Sequence, residues 1–164
     1  MLKYFLTFYI SFSFVNADIT ALLLHAKSDY LFHFSHKDVA FYCRPAAVTT
    51  IDQLLFRKDI QPVCKNKAEN FIKKYPFSNK QYAYKLHIEQ KYLLLGYKKD
   101  CFVMLNAGRS FSEHLLEEGF AKLQNKLGDS FLNSTLYKKL KRSQDRAEYH
   151  KRGIWEDPIL ANCF

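Results

Sequence analysis

The run Ser110-Phe111-Ser112-Glu113-His114-Leu115-Leu116-Glu117-Glu118-Gly119-Phe120-Ala121-Lys122-Leu123 reads as one short helix with both ends marked. Ser110 and Glu113 have the spacing of a capping box, in which each side chain takes the other residue's free backbone N–H. Phe111, Leu115 and Leu116 make a single apolar stripe. Gly119 stands where the chain must turn left-handed to leave the helix, and Phe120 then falls back toward Leu115. So short a helix is marginal alone, because its few hydrogen bonds barely offset the cost of nucleation. The rest of the chain must offer it an apolar seat.

Alternating strands are expected to supply that seat. Residues 19–24, 30–34, 39–42 and 47–51 are short β-type runs, with Arg44-Pro45 as a break because proline cannot donate to a central ladder. Residues 52–62 read as a loop of mixed charge. From Asn66, the residues Ala68, Phe71 and Ile72 share one helical face up to Tyr75-Pro76. Tyr82, Tyr84, Leu86 and Ile88 then alternate with polar neighbours, and 92–97 and 101–105 give two further β runs. A long helix over 136–152 carries Leu136, Leu140, Ser143 and Ala147 inward and ends at Gly153, followed by Ile154 and Trp155. With 48% hydrophobic residues, 16% aromatic and only 5 Gly and 4 Pro, residues 18–164 suit a single α+β domain. The expected architecture is a five-stranded Greek-key barrel of the OB type with three helices, which leaves no strand edge unpaired.

Residues 1–17 stand apart. Lys3, an apolar run over 4–15 and the small-residue end Val15-Asn16-Ala17 have the form of a cleaved secretory signal, too short to span a bilayer. Secretion would place Cys43, Cys64, Cys101 and Cys163 in an oxidising compartment, where an even number favours disulfides with three possible connectivities. No Cys-x-x-Cys pair of zinc spacing occurs. Without Lys3 the mature chain has 24 basic against 16 acidic residues, a net charge of +8. That field favours a polyanion: nucleic acid, anionic lipid or acidic glycan. The mature chain is expected to be a monomer without a transmembrane helix.

Residues 111–121 resemble the segment of staphylococcal nuclease-like (thermonuclease) domains in which a Val-Asn-x-x-Leu-Val run precedes Gly-x-Ala. Residues 140–155, with Ala147, Lys151, Arg152, Gly153, Ile154 and Trp155, are similar to that family's last helix and its Gly-[Leu/Ile]-Trp ending. Gln61-Pro62, followed by Ala68-Glu69-Asn70-Phe71-Ile72-Lys73-Lys74, resembles its first helix. The resemblance implies an OB-fold and calcium-dependent hydrolysis of DNA and RNA. That chemistry needs carboxylates to hold a hard cation, a glutamate to activate water and two arginines to clamp the phosphate.

Carried over residue by residue, the resemblance implies Asp29 and Asp52 as the metal-binding carboxylates. The glutamate expected after Asp52 falls on Leu55, and the first arginine falls on Ala47, with Arg44 a substitute displaced across Pro45. The second arginine falls on Lys99 in Tyr97-Lys98-Lys99, which keeps the charge without the planar fork. Each such loss would cost about 3 kcal/mol of transition-state stabilisation. A rescue by Asp59 or Glu69 with Arg57 or Arg44 requires the 52–62 loop to fold back over the site. Without cleavage, a barrel can still bind single strands by pairing a basic groove with aromatic faces, here Tyr82, Tyr84, Tyr92 and Tyr97 with Lys85, Lys91, Lys98 and Lys99. Lys138, Lys139, Lys141, Arg142, Arg146, Lys151 and Arg152 on the last helix are expected to form a solvated or a polyanion-binding face. His33 and His36, three apart in a strand, make a poor metal pair. The leading expectation is a secreted nucleic-acid-binding protein with a degraded catalytic set. The alternatives are an active calcium-dependent nuclease and a non-enzymatic envelope scaffold.

Overall fold

The computed structural model describes residues 18–26, 31–75, 86–96, 100–125 and 127–164. Strands β1 (Ile19–Ala26), β2 (Phe32–His36) and β3 (Val39–Pro45) form an antiparallel meander, followed by the short β4 (Val48–Thr50). Strands β5 (Lys91–Leu95) and β6 (Asp100–Met104) complete a closed barrel in the order β1-β2-β3-β6-β5. Among the described strands only the β3–β6 pairing is parallel. This is the expected OB-type Greek-key barrel. The period-two pattern sets its inside: Ala21, Leu23, Phe32, Phe34, Cys43, Tyr92, Leu94, Cys101 and Val103 are all buried. Outside the barrel β4 pairs with β7 (Ala121–Leu123).

Six α-helices accompany the strands among the described residues, where three were expected. The additions are short: α1 (Ile51–Leu55), α4 (Asp129–Leu132) and α6 (Pro158–Asn162) have five, four and five residues. Segments of that length carry too few residues to show a 3.6-residue period. Helix α1 replaces the start of the expected 52–62 loop, because Thr50 caps it and the Gln53 side chain accepts the Thr50 N–H at 2.8 Å. Helix α2 (Pro62–Lys74) begins four residues before the expected start at Asn66, with Pro62 in its first turn, where a missing N–H is harmless. Helix α5 (Thr135–Tyr149) buries Leu140, Ser143, Gln144 and Ala147, but leaves Leu136 only half-buried. Of the alternating run 82–88, residues 82–85 lie outside the described residues. Leu86 is a buried bend and Ile88 an exposed turn residue, so the described end of the run is not strand.

The organising helix is α3 (Phe111–Glu117), and it plugs the barrel. Phe111, Leu115 and Leu116 are fully buried, each such side chain contributing about 1.5–3 kcal/mol. The Phe111 ring meets Phe32 edge-on at 5.2 Å. Ser110 Oγ accepts the Glu113 N–H at 3.1 Å, the one half of the expected capping box found among the described residues. Gly119 N–H donates to Leu116 O and Phe120 N–H to Leu115 O, the paired bonds of a left-handed helix ending. Ser112 Oγ donates to Ala46 O at 2.8 Å and so ties α3 to the end of β3.

Two disulfides, Cys43–Cys101 and Cys64–Cys163, select one of the three possible connectivities. The second ties α2 to the C-terminal segment. That segment is held further by Glu156, which accepts from Lys74 and from Tyr75 Oη, and by Asp157, whose carboxylate lies 2.7 Å from Lys67 Nζ. The Lys74 hydrogen bond, with that from Tyr75, holds Glu156 below its ordinary pKa, and the Lys67 hydrogen bond does the same for Asp157. A depressed carboxylate pKa stabilises the fold above the unfolded value and ceases to do so as pH falls through the folded one. Urea unfolding is therefore expected to lose resistance as pH drops below about 4, the ordinary carboxylate range. The double variant Glu156→Gln/Asp157→Asn is expected to lose less over that interval; an equal loss would place the acid sensitivity elsewhere.

Candidate nucleic-acid interface

The site is built where β3 meets β6. Because Cys43 faces the barrel interior, Tyr42 and Arg44 face out. Arg44 is paired in register with Asp100, the first residue of β6, and Pro45 with Cys101. Leu31, Tyr42, Arg44, Gln53 and Asp100 line an open cavity of about 420 Å³ at this rim. Arg44 is half-buried and Asp100 exposed. No ion pair engages Arg44 among the described residues. His33, in register with Tyr42 on β2, stacks on its ring with centroids 4.5 Å apart and planes 15° from parallel.

Three residues after Arg44 set the geometry of this rim. The chain leaves the barrel through a turn at Ala46-Ala47, with Ala47 left-handed at φ 62° and buried. Ala46 N–H donates to Cys101 O and Gln124 N–H to Ala47 O, which hands the chain from β6 to the β4–β7 ladder. Ala47, the position to which the resemblance carries the first arginine, is thus a buried turn. Arg44, read as displaced, stands on the barrel rim opposite the residue that follows Lys99.

The other candidates divide. Asp52 is half-buried in the first turn of α1, where its Oδ1 accepts from Thr50 Oγ1; Gln53, not Asp52, is the member of that turn that lines the cavity. Leu55 packs against the core from the same helix. The rescue by Arg57 and Asp59 does not occur. Arg57 pairs with Asp59 at 3.2 Å and donates to Cys163 O, and both line a separate cavity of about 300 Å³ with Cys64 and Phe164. Glu69 is exposed on α2 and does not line the Arg44 cavity. The reason is α1, which carries the chain away from Arg44 before Arg57 is reached. Tyr92 faces inward, its hydroxyl accepting the His87 N–H at 2.5 Å, and burial raises its pKa. It is barrel wall and not part of a binding face. Asp29, Tyr82, Tyr84, Lys85, Tyr97, Lys98 and Lys99 lie outside the described residues. On α5, Lys138, Lys139 and Arg142 are exposed, whereas Lys141 pairs with Asp145 and Arg146 lies 3.8 Å from Glu117.

The described donor set does not fit calcium, which takes six to eight oxygen ligands. Among the described residues Asp100 is the only carboxylate lining the cavity, Gln53 Oε1 is engaged by Thr50, and no group of three metal-binding side chains occurs. A family model described as Staphylococcal nuclease homologue matches residues 53–157, well over half of the chain. The chain belongs to the staphylococcal nuclease homologue family. The matched segment holds Gln53, Asp100, the plug helix and α5, while β1–β4 and Arg44 precede it. Comparison with curated proteins finds no match. Within this nuclease-like domain, sequence reasoning missed Asp100, Gln53, Tyr42 and Leu31. Only Asp100 carried a signal, since it directly follows the Lys98-Lys99 pair.

Proposed function

We propose that the protein is a secreted nuclease-fold protein that binds nucleic acid at the Arg44 rim without cleaving it efficiently. The observation that carries this reading is the lining of the cavity, where a half-buried guanidinium, Arg44, is accompanied among the described residues by a neutral amide, Gln53, and a single carboxylate, Asp100. A guanidinium binds phosphate oxygens in bidentate fashion. An amide has no proton-accepting state near neutral pH to activate water. Family membership and the net charge of +9 on the whole chain favour the same class of ligand. Secretion is supported by the form of residues 1–17 and by the two disulfides, since such bridges persist in oxidising compartments.

The test uses the disulfide-intact chain from Asp18 with single-stranded DNA and RNA, in calcium and in EDTA. Binding that weakens as salt rises, with no calcium-dependent cleavage, is expected. Arg44→Ala is expected to weaken binding about ten-fold and to reduce the salt slope by about one phosphate contact. Asp100 beside Arg44 is the one observation that favours residual metal-dependent hydrolysis, and cleavage abolished by Asp100→Asn would establish it. Binding unchanged in Arg44→Ala would place the contact away from the Arg44 rim, and neither binding nor cleavage would leave only a scaffold.

A further inference from the structure

We propose that Tyr42 is the base-stacking wall of the Arg44 cavity, so that the site takes a single-stranded nucleotide with its phosphate at Arg44 and its base against the Tyr42 ring. The proposal rests on the nucleic-acid reading above and names the form of the ligand. Tyr42 and Arg44 are two residues apart on one outward face of β3, about 7 Å along the strand, which matches the span from a phosphate to its own base. Both line the same cavity, and its volume of about 420 Å³ lies in the range of small-molecule sites.

Tyr42 is held ready for that role. It is 46% exposed, and the near-parallel His33 imidazole at 4.5 Å braces its ring. In the next strand His25 is in register with His33, so the row His25, His33, Tyr42 runs across β1, β2 and β3. A ring already immobilised by a stacked neighbour loses little rotamer freedom when a ligand packs on it. Stacking is tolerant of base identity, because every base has a π-face. It does not tolerate pairing, since the bases of a duplex are already stacked on one another. The site is therefore specific for single strands and indifferent to sequence.

The experiment compares three labelled ligands of equal length: a single-stranded DNA, the same sugar–phosphate strand without bases, and a duplex. Wild-type protein is expected to prefer the base-bearing single strand over the base-free one by roughly five- to 150-fold, the scale of one base–aromatic stack. Tyr42→Ala is expected to abolish that preference while leaving the affinity for the base-free strand unchanged, and Tyr42→Phe to keep the preference, which also guards against a folding defect. Arg44→Ala is expected to weaken both single strands equally. Equal affinity of wild-type protein for base-bearing and base-free strands overturns the stacking wall while leaving the phosphate site standing. An unchanged preference in Tyr42→Ala does the same. Failure of every ligand to bind overturns the nucleic-acid reading itself.

Discussion

Gly153→Ala and Gly119→Ala are each expected to destabilise the domain by about 2–5 kcal/mol, a large part of the 5–15 kcal/mol that holds a typical domain together. The two glycines meet backbone to backbone. Both have positive φ, 70° at Gly119 and 58° at Gly153. A Cβ at Gly119 would fall 2.1 Å from Arg152 O, and one at Gly153 would fall 2.2 Å from Gly119 O. The Ile154 N–H donates to Gly119 O at 2.8 Å, so the two turns cannot separate without losing that bond. The left-handed backbone alone costs an L-residue about 1–2 kcal/mol, and the forced shift of packed backbone adds about 1–3 kcal/mol or more. Gly108→Ala separates the two costs. It has φ 69° with nothing within 4 Å of an added Cβ, so it is expected to lose only the left-handed cost, about 1–2 kcal/mol. Urea denaturation of the three variants measures the difference. Equal losses at Gly108 and Gly153 would mean that the contact between the two turns contributes nothing.

That contact explains why the C-terminal half was legible in the sequence. Gly119 ends the plug helix and Gly153 ends α5, and each position admits only a residue without a side chain. The chemistry is therefore written in the residue type itself. The period-two strands were legible for a similar reason, since one-sided burial shows as alternation along Phe32, Phe34 and Leu94. The rim was not. Its arrangement depends on the left-handed turn at Ala47, a conformation that favours glycine and that nothing in Pro45-Ala46-Ala47 announces. Counting residues back from Asp52 reached Ala47 and left Arg44 as a substitute displaced across Pro45. Helix α1 was missed because five residues carry no measurable period, and its cap, Thr50 with Gln53, shows only once the helix is known. Asp100 was hidden by its setting: an exposed carboxylate at the start of a strand is ordinary until the parallel pairing brings it opposite Arg44.

The disulfide at that pairing gives the second large expected effect. Among the described residues the β3–β6 seam closes the barrel with only two registered pairs, Arg44 with Asp100 and Pro45 with Cys101, and proline brings no N–H to the ladder. Cys43–Cys101 crosses this seam within the core, with both half-cystines fully buried. Closing a loop over a sequence separation of 58 stabilises the fold by about 4 kcal/mol in the chain-entropy estimate. Cys43→Ala/Cys101→Ala is expected to lose about that much in urea denaturation. The bridge also fixes the neighbours of its two ends, Arg44 and Asp100, so the variant is expected to bind single-stranded DNA more weakly even at temperatures where it remains folded. Cys64→Ala/Cys163→Ala makes the comparison decisive. Its separation of 99 predicts a loss of similar size, about 4.7 kcal/mol, but it ties α2 to the C-terminus, away from the Arg44 cavity. The expected result is two variants of comparable lowered stability, of which only the seam variant loses affinity. If both lose affinity in proportion to stability, the seam disulfide holds up the fold and has no separate hold on the site.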